Sequence, residues 1–268
     1  MPTPIRDLEC FVFDMDGTIN LGETLIPGAL ELIHALLERN TKFFFFTNNS
    51  SKAPEDYVKK LERLGFSGMA RSHIMTSGDV MIHYLKTHFP SPKVFLAGTP
   101  ALETQFMRAG IQLLPADTQA ADAVVLGFDT TFDFQKADTI CRLVSSGVPF
   151  LATNIDRVCP LEGGAFLPDC GSMSAMIEHA TGIAPKFVGK PFAETVSFIL
   201  DAAGTPPEKT AIVGDRLYTD IATAVNGGIT GIAVLSGEIS QQDIDASEIV
   251  PDYTFDSVAG ILQELHLS

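Results

Sequence analysis

Two aspartates, Asp14 and Asp16, follow directly on the apolar run Phe11-Val12-Phe13. A bare carboxylate at the end of a buried run is costly unless it is paired, hydrogen-bonded or metal-bound. If the extended chain continues through them, both side chains point the same way. Two close carboxylates repel, and one holds its proton unless a cation lies beside it. Two chemistries fit. Both could bind a metal, or one could attack while the other moves protons. Gly17 then permits a sharp turn and close approach of a ligand. A solvated turn uses the same residue types. So does the opening of a calcium loop, although the later ligand positions of an EF-hand are missing here.

Three further clusters join this pair. Thr47-Asn48-Asn49-Ser50-Ser51 follows the apolar run Lys42–Phe46. Hydroxyls, amides and free backbone N–H groups just before a helix make an anion cradle, and the same residues suit an N-cap or an Asx turn. Gly189-Lys190-Pro191 does not make a P-loop, because no glycine stands at the required spacing and Pro191 occupies the Ser/Thr position. Lys190 nonetheless stands at a loop-to-helix junction, which keeps a functional role open. Asp215 follows the run Thr210–Gly214, and Asp220 stands one turn later. The Asp14 and Asp215 carboxylates with the Asp16 carbonyl form the oxygen set that hard cations such as magnesium prefer. Asp220 could equally cap the next helix.

These clusters need elements to hold them. The stretch 9–13 predicts a strand, 27–40 a helix with Pro27 at its start, 42–46 a strand, and 53–66 a helix. Leu30, Ile33, His34 and Leu37 are expected along one face of the first helix, so His34 reads as part of its packing. The run 42–46 has no polar alternation, which fits a parallel strand covered on both faces. This alternation predicts an α/β doubly wound parallel sheet. Ligands of such sheets bind beyond the carboxyl ends of the strands, where all three polar tips fall. In the middle of the chain, strands at 93–98, 121–128 and 148–153 alternate with helices at 101–110 and 134–147. This predicts a separate α/β unit at 79–183, inserted between core segments 1–78 and 184–268.

Composition narrows the function. The 268 residues are 46% hydrophobic, enough for a sizeable core. A formal net charge of −15 argues against nucleic acid and anionic membrane as partners. The four cysteines make no CxxC and read as reduced. No signal-peptide pattern and no apolar run of about 20 residues is present, so a soluble cytoplasmic protein is expected. The N-x-[ST] patterns at Asn48 and Asn49 then carry no glycosylation.

Taken together and in order, the clusters resemble the haloacid dehalogenase superfamily of phosphohydrolases. Asp14-Met15-Asp16-Gly17-Thr18 matches its first motif, Thr47 its second, Lys190 its third, and Asp215 with Asp220 its fourth. The Asn48-Asn49 pair, the Gly-Lys-Pro around Lys190, the Gly-Asp-Arg-Leu-Tyr-Thr-Asp form at 214–220 and the large insert are similar to the NagD-like, p-nitrophenyl-phosphatase-like branch with a class IIA cap.

The resemblance implies a Rossmann-like core with an inserted cap, and a magnesium-dependent phosphatase acting through an aspartyl-phosphate. Asp14 is then the nucleophile and Asp16 the acid and base. Dehalogenases proper lack the second aspartate, so Asp16 points to phosphate esters. Lys190 adds positive charge. Asp14, Asp16 and Asp215 hold the metal, with Asp220 supporting it. Thr47, Asn48 and Asn49 are the phosphate-binding set. Polar stretches at 153–164 and 168–174 of the cap are expected to meet the substrate, with Asn154, Asp156 and Arg157 as candidates. The implied partner is a small phosphorylated metabolite: a nucleotide, sugar phosphate, pyridoxal phosphate, phosphoglycolate or p-nitrophenyl phosphate. Homodimerisation through the cap is a further candidate from the branch. The rival readings are a receiver-like phospho-acceptor module and a phosphomutase of the same superfamily. The first places its phospho-acceptor on a later strand, and the second carries a small helical cap after the first motif.

Overall fold

The computed structural model describes residues 2–161 and 164–266. Glu162 and Gly163, within the 153–164 stretch, lie outside the described residues. The chain forms two compact units, one of Met1–Thr47, Pro54–Met75 and Lys190–Ser268, the other of Asn48–Ala53 and Thr76–Gly189.

The first unit is built on a six-stranded sheet ordered Tyr253–Phe255, Thr230–Val234, Thr210–Gly214, Cys10–Asp14, Lys42–Thr47 and Ile74–Thr76. Cys10–Asp14 pairs in parallel with both neighbours, Phe13 lying opposite Val213 on one side and Phe45 on the other. Chain order runs one way from this strand to Lys42–Thr47 and the other way to Thr210–Gly214. The topology therefore reverses beside it, which is where open α/β sheets form their ligand crevice. Phe11, Phe13, Phe43 and Phe45 pack with Tyr57, Leu61 and Phe66 in one apolar cluster. The helix Ala222–Gly227 packs on strands Thr210–Gly214 and Thr230–Val234.

The first helix spans Ala29–Glu38 and begins after Pro27 and Gly28. Its buried face is Ala29, Leu32, Ile33 and Leu36, at the i, i+3, i+4, i+7 spacing of a helix on a sheet. The expected face of Leu30, Ile33, His34 and Leu37 is corrected by this. His34 is exposed and Leu37 is 47% exposed. The apolar run is long enough to allow two overlapping stripes, and contact with the sheet selects the one containing Leu32 and Leu36.

The second unit carries a five-stranded sheet ordered Lys186–Phe187, Phe150–Ala152, Ala123–Leu126, Lys93–Ala97 and Gln112–Leu113, all pairs parallel. Its core joins Phe95, Val124, Leu126, Ile140, Leu143, Phe150, Cys170 and Ile177. The helix Ser77–His88 opens on a reciprocal cap between Thr76 and Asp79. Val158–Pro160 and Phe166–Pro168 form a small antiparallel hairpin. All four cysteines are free thiols. Burial pushes Cys10 and Cys170 up to about 12, so both are inert at neutral pH.

Candidate active site

Asp14 is the last residue of its strand, with Phe46 as its register partner on the next. Lys190 reaches it from far along the chain. Its Nζ donates to Asp14 Oδ1 at 2.6 Å and to Asp220 Oδ1 at 2.6 Å, and lies 5.1 Å from the centre of the Phe46 ring. Lys190 is buried, as is Asp220. Asp220 sits in the π-helical turn Leu217–Ile221. Its other oxygen accepts from the Arg216 backbone N–H at 3.2 Å, across the turn. It thus closes this turn and pairs with Lys190 at once.

Asp215 follows the strand Thr210–Gly214 and is 2% exposed. Its carboxylate accepts from the Thr18 hydroxyl at 3.3 Å and from the Glu238 N–H at 2.8 Å. Gly17 has φ +96°, the left-handed region, and a Cβ there would run into the Asp215 carboxylate. A Cβ on Gly237 would do the same. Glycine at both positions lets two loops close around one carboxylate.

The electrostatics are those of a site short of positive charge. Burial raises Asp14 to about 7, against the pull of Lys190. Burial, then the Asp14 charge, raises Asp215 to about 6. Asp220 is also raised, chiefly by burial. For Lys190, burial works to lower the pKa, but Asp14 and Asp220 outweigh it and hold the ammonium charged. One buried ammonium thus serves Asp14 and Asp220, with the Asp215 carboxylate close beside them. Oxygens of Asp14, Asp215 and Asp220 all lie within 4.8 Å of one another. An all-oxygen anionic set of this size fits a hard divalent cation, and a second positive charge would remove the cost of keeping the carboxylates ionised.

The other expected residues fall in different places. The Asp16 carboxylate is not part of this cluster, its Oδ1 taking hydrogen bonds from Lys60 Nζ at 2.9 Å and Asn20 Nδ2 at 2.7 Å. Thr47 is buried at the end of its strand. Asn48 belongs to the second unit, where its Nδ2 donates to Asp156 Oδ2 at 2.9 Å and its carbonyl accepts from the Ser77 hydroxyl. Asn49 Oδ1 accepts from both the N–H and the hydroxyl of Ser51, an Asx turn. Asn154 and Asp156 are buried in the same unit, with Asn154 Nδ2 shared between Asp156 and Asp169. Arg157 is exposed.

Two contributors escape the sequence reading: Lys60 holds Asp16, and the segment Ser236–Glu238 supports two site loops. Thr18, present in the first motif without a role, holds Asp215. The Ser236 hydroxyl bonds the Gly17 carbonyl at 2.8 Å. A signal for this segment existed. The apolar strand Thr230–Val234 ends in Leu-Ser-Gly-Glu, a polar tip of the same kind as the three recognised.

Comparison with known proteins gives the family. The family described as haloacid dehalogenase-like hydrolase matches residues 11–112, and a second HAD-hydrolase-like description matches 187–261. Human glycerol-3-phosphate phosphatase is 32% identical, over 97% of this chain and 92% of that protein. This chain belongs to the haloacid dehalogenase-like hydrolases. Among solved structures of similar proteins is the 4-nitrophenylphosphatase of Thermotoga maritima. It has 38% identity and a TM-score of 0.92, covering 98% of this chain and 99% of that one. The glycerol phosphate phosphatase Rv1692 of Mycobacterium tuberculosis, solved with magnesium, is 28% identical with a TM-score of 0.88, covering 100% of this chain and 80% of that one. Within this hydrolase fold, Asp14, Lys190, Asp215 and Asp220 are charges gathered at the switch point of the sheet, all but Asp14 buried.

Proposed function

We propose that this hydrolase removes phosphate from small phosphate monoesters, with Asp14 as nucleophile and magnesium as cofactor. The observation that carries the reading is the Lys190 ammonium held at 2.6 Å from both Asp14 and Asp220, with Asp215 completing an oxygen set within 4.8 Å. Such a site can accept a phosphate dianion despite the overall charge of −15. Phosphoryl transfer asks mostly for positioning and neutralisation of charge.

Asp14, the Asp16 carbonyl and Asp215 would hold the magnesium, with Asp220 supporting it. Bound there, the ion supplies positive charge against the developing phosphoryl charge. Lys190 orients the Asp14 carboxylate and favours its ionised form for attack. The Asp14 oxygen forms a bond to phosphorus as the ester P–O bond breaks, and the protonated Asp16 carboxyl gives its proton to the departing alkoxide oxygen, releasing the alcohol. Water then attacks phosphorus, Asp16 takes its proton, and the bond to Asp14 breaks. Thr47, the Asn48 backbone and Asn49 are assigned to the phosphate oxygens.

The substrate class follows from the relatives, which by name act on glycerol phosphate and 4-nitrophenyl phosphate. We assign the inserted unit at 79–183 the role of a cap that meets the organic part of the substrate, with Asn154, Asp156 and Arg157 as its candidates. A homodimer through this unit and a cytoplasmic location complete the reading. No helix among the described residues is long and apolar enough to cross a membrane.

The test is Asp14→Asn. Turnover of 4-nitrophenyl phosphate and glycerol phosphate should fall to background with the circular dichroism spectrum unchanged. Residual turnover above about 1% of wild type would remove Asp14 as nucleophile, since losing a covalent catalyst costs several orders of magnitude.

A further inference from the structure

The carboxyl group assigned the proton transfers is the one whose side chain lies outside the buried charge cluster. We infer that Lys60 and Asn20 are positioning residues for Asp16, anchoring one of its oxygens so that the other carries the proton. This rests on the acid and base role proposed above for Asp16.

The backbone around Asp16 is tightly tied. The Met15 carbonyl accepts from the N–H groups of Thr18, Ile19 and Asn20, and the Gly17 N–H returns to the Asn20 carbonyl at 2.7 Å. The turn fixes the Cα of Asp16 but not its side chain, which is 58% exposed in its pair with Lys60. An exposed carboxylate on rotatable bonds samples several rotamers. A proton donor must instead be held within hydrogen-bond reach of the leaving oxygen.

Two donors remove that freedom, and both converge on Oδ1. Asn20 is fully buried, and its Nδ2 donates at once to Asp16 Oδ1 at 2.7 Å and to the Gly22 carbonyl at 3.0 Å. Both partners are acceptors, so a flipped amide would face two acceptors with its own oxygen; the orientation is fixed. Asn20 Oδ1 itself is buried with no partner among the described residues, so the amide is retained for its donor end. Lys60 approaches from the helix Pro54–Arg63, which is anchored in the core by Tyr57 and Leu61. Its side chain is only 14% exposed. With Oδ1 saturated by two donors, Oδ2 is the atom left to hand a proton to the departing alkoxide. As the proton leaves, charge grows on a carboxylate that already touches an ammonium and an amide, two donors in place before the reaction.

The consequence is selective. A poor leaving group such as an alkoxide needs the proton, whereas 4-nitrophenolate departs without it. In kcat/KM, which reports steps only up to formation of the aspartyl-phosphate, loss of the anchor should hurt alkyl esters and spare aryl ones.

The experiment measures kcat/KM for glycerol phosphate and 4-nitrophenyl phosphate with wild type, Lys60→Met, Lys60→Arg and Asp16→Asn. Methionine keeps the apolar stem of the lysine, and a melting curve checks that the fold survives. General acids contribute about 10²–10⁴-fold. Lys60→Met should therefore lower the alkyl-to-aryl ratio by about tenfold or more, and Lys60→Arg should restore part of it. Equal losses on both esters, or none, with Asp16→Asn still lowering the ratio, would overturn the role of Lys60 while leaving Asp16 as the acid. An unchanged ratio in Asp16→Asn would overturn both.

Discussion

Replacing Asp215 by asparagine should stabilise the metal-free protein at neutral pH while abolishing its response to magnesium. The carboxyl is buried, and burial followed by repulsion from Asp14 raises it from 3.8 to about 6. The folded state therefore binds more protons than the unfolded chain between about pH 4 and 6. Its stability falls as pH rises through that window and levels off above it. The difference of about two pKa units corresponds to ~3 kcal/mol, fully expressed by pH 8. Asparagine carries no charge and keeps the shape. Its carbonyl can accept from the Glu238 N–H, and its amide can donate to the Thr18 hydroxyl, which turns to accept. Most of that energy should therefore appear. At roughly 2–4 °C per kcal/mol for a chain of this size, the melting temperature should rise by about 5–10 °C at pH 8 and hardly at all near pH 3.5. The assay is thermal melting in excess chelator from pH 3.5 to 8 for both proteins. Saturating magnesium should reverse the order, raising the wild type and leaving the variant unmoved. A variant less stable than wild type at pH 8, or a difference that does not change with pH, would refute the account of Asp215 as an ionised group paid for by bound metal.

Three further outcomes follow from the same structure. Gly17→Ala places a Cβ against the Asp215 carboxylate at a left-handed φ of +96°. It should cost at least ~1–2 kcal/mol and most of the activity, and unchanged kinetics would show the two loops are not packed as described. Leu32→Ala should destabilise by ~2–5 kcal/mol and Leu37→Ala by under about 0.5, since only Leu32 is buried; urea unfolding of the pair tests the corrected helix face. Chelation should silence phosphatase turnover and magnesium restore it, and full activity in chelator would remove the metal from the proposal.

The positions of the candidate site residues were legible in the sequence because parallel strands announce themselves. Continuous apolar runs such as Phe11–Phe13 and Ala211–Val213, alternating with helical patterns, fit a parallel sheet covered on both faces, and its ligand edge is where each run ends. Asp14, Thr47 and Asp215 stand at such ends with no tertiary information, and so does Ser236–Glu238, beyond the run Thr230–Val234. The helix face was misjudged because the periodicity of 29–38 allows two stripes, and the sheet alone chooses between them.

What the sequence by itself determined is the order of elements, the strand ends and the residue types gathered there. Only the tertiary structure decided who pairs with whom. Lys190 stands 176 residues from Asp14 and 30 from Asp220, yet one ammonium serves both. The adjacent Asn48 and Thr47 fall in different compact units. Asp16, two residues from Asp14, turns to Lys60 instead of the buried cluster. The physical reason is common to all three. Local spacing fixes the direction in which a side chain leaves the backbone, but the charge or hydrogen-bond partner that makes its burial tolerable comes from a distant segment.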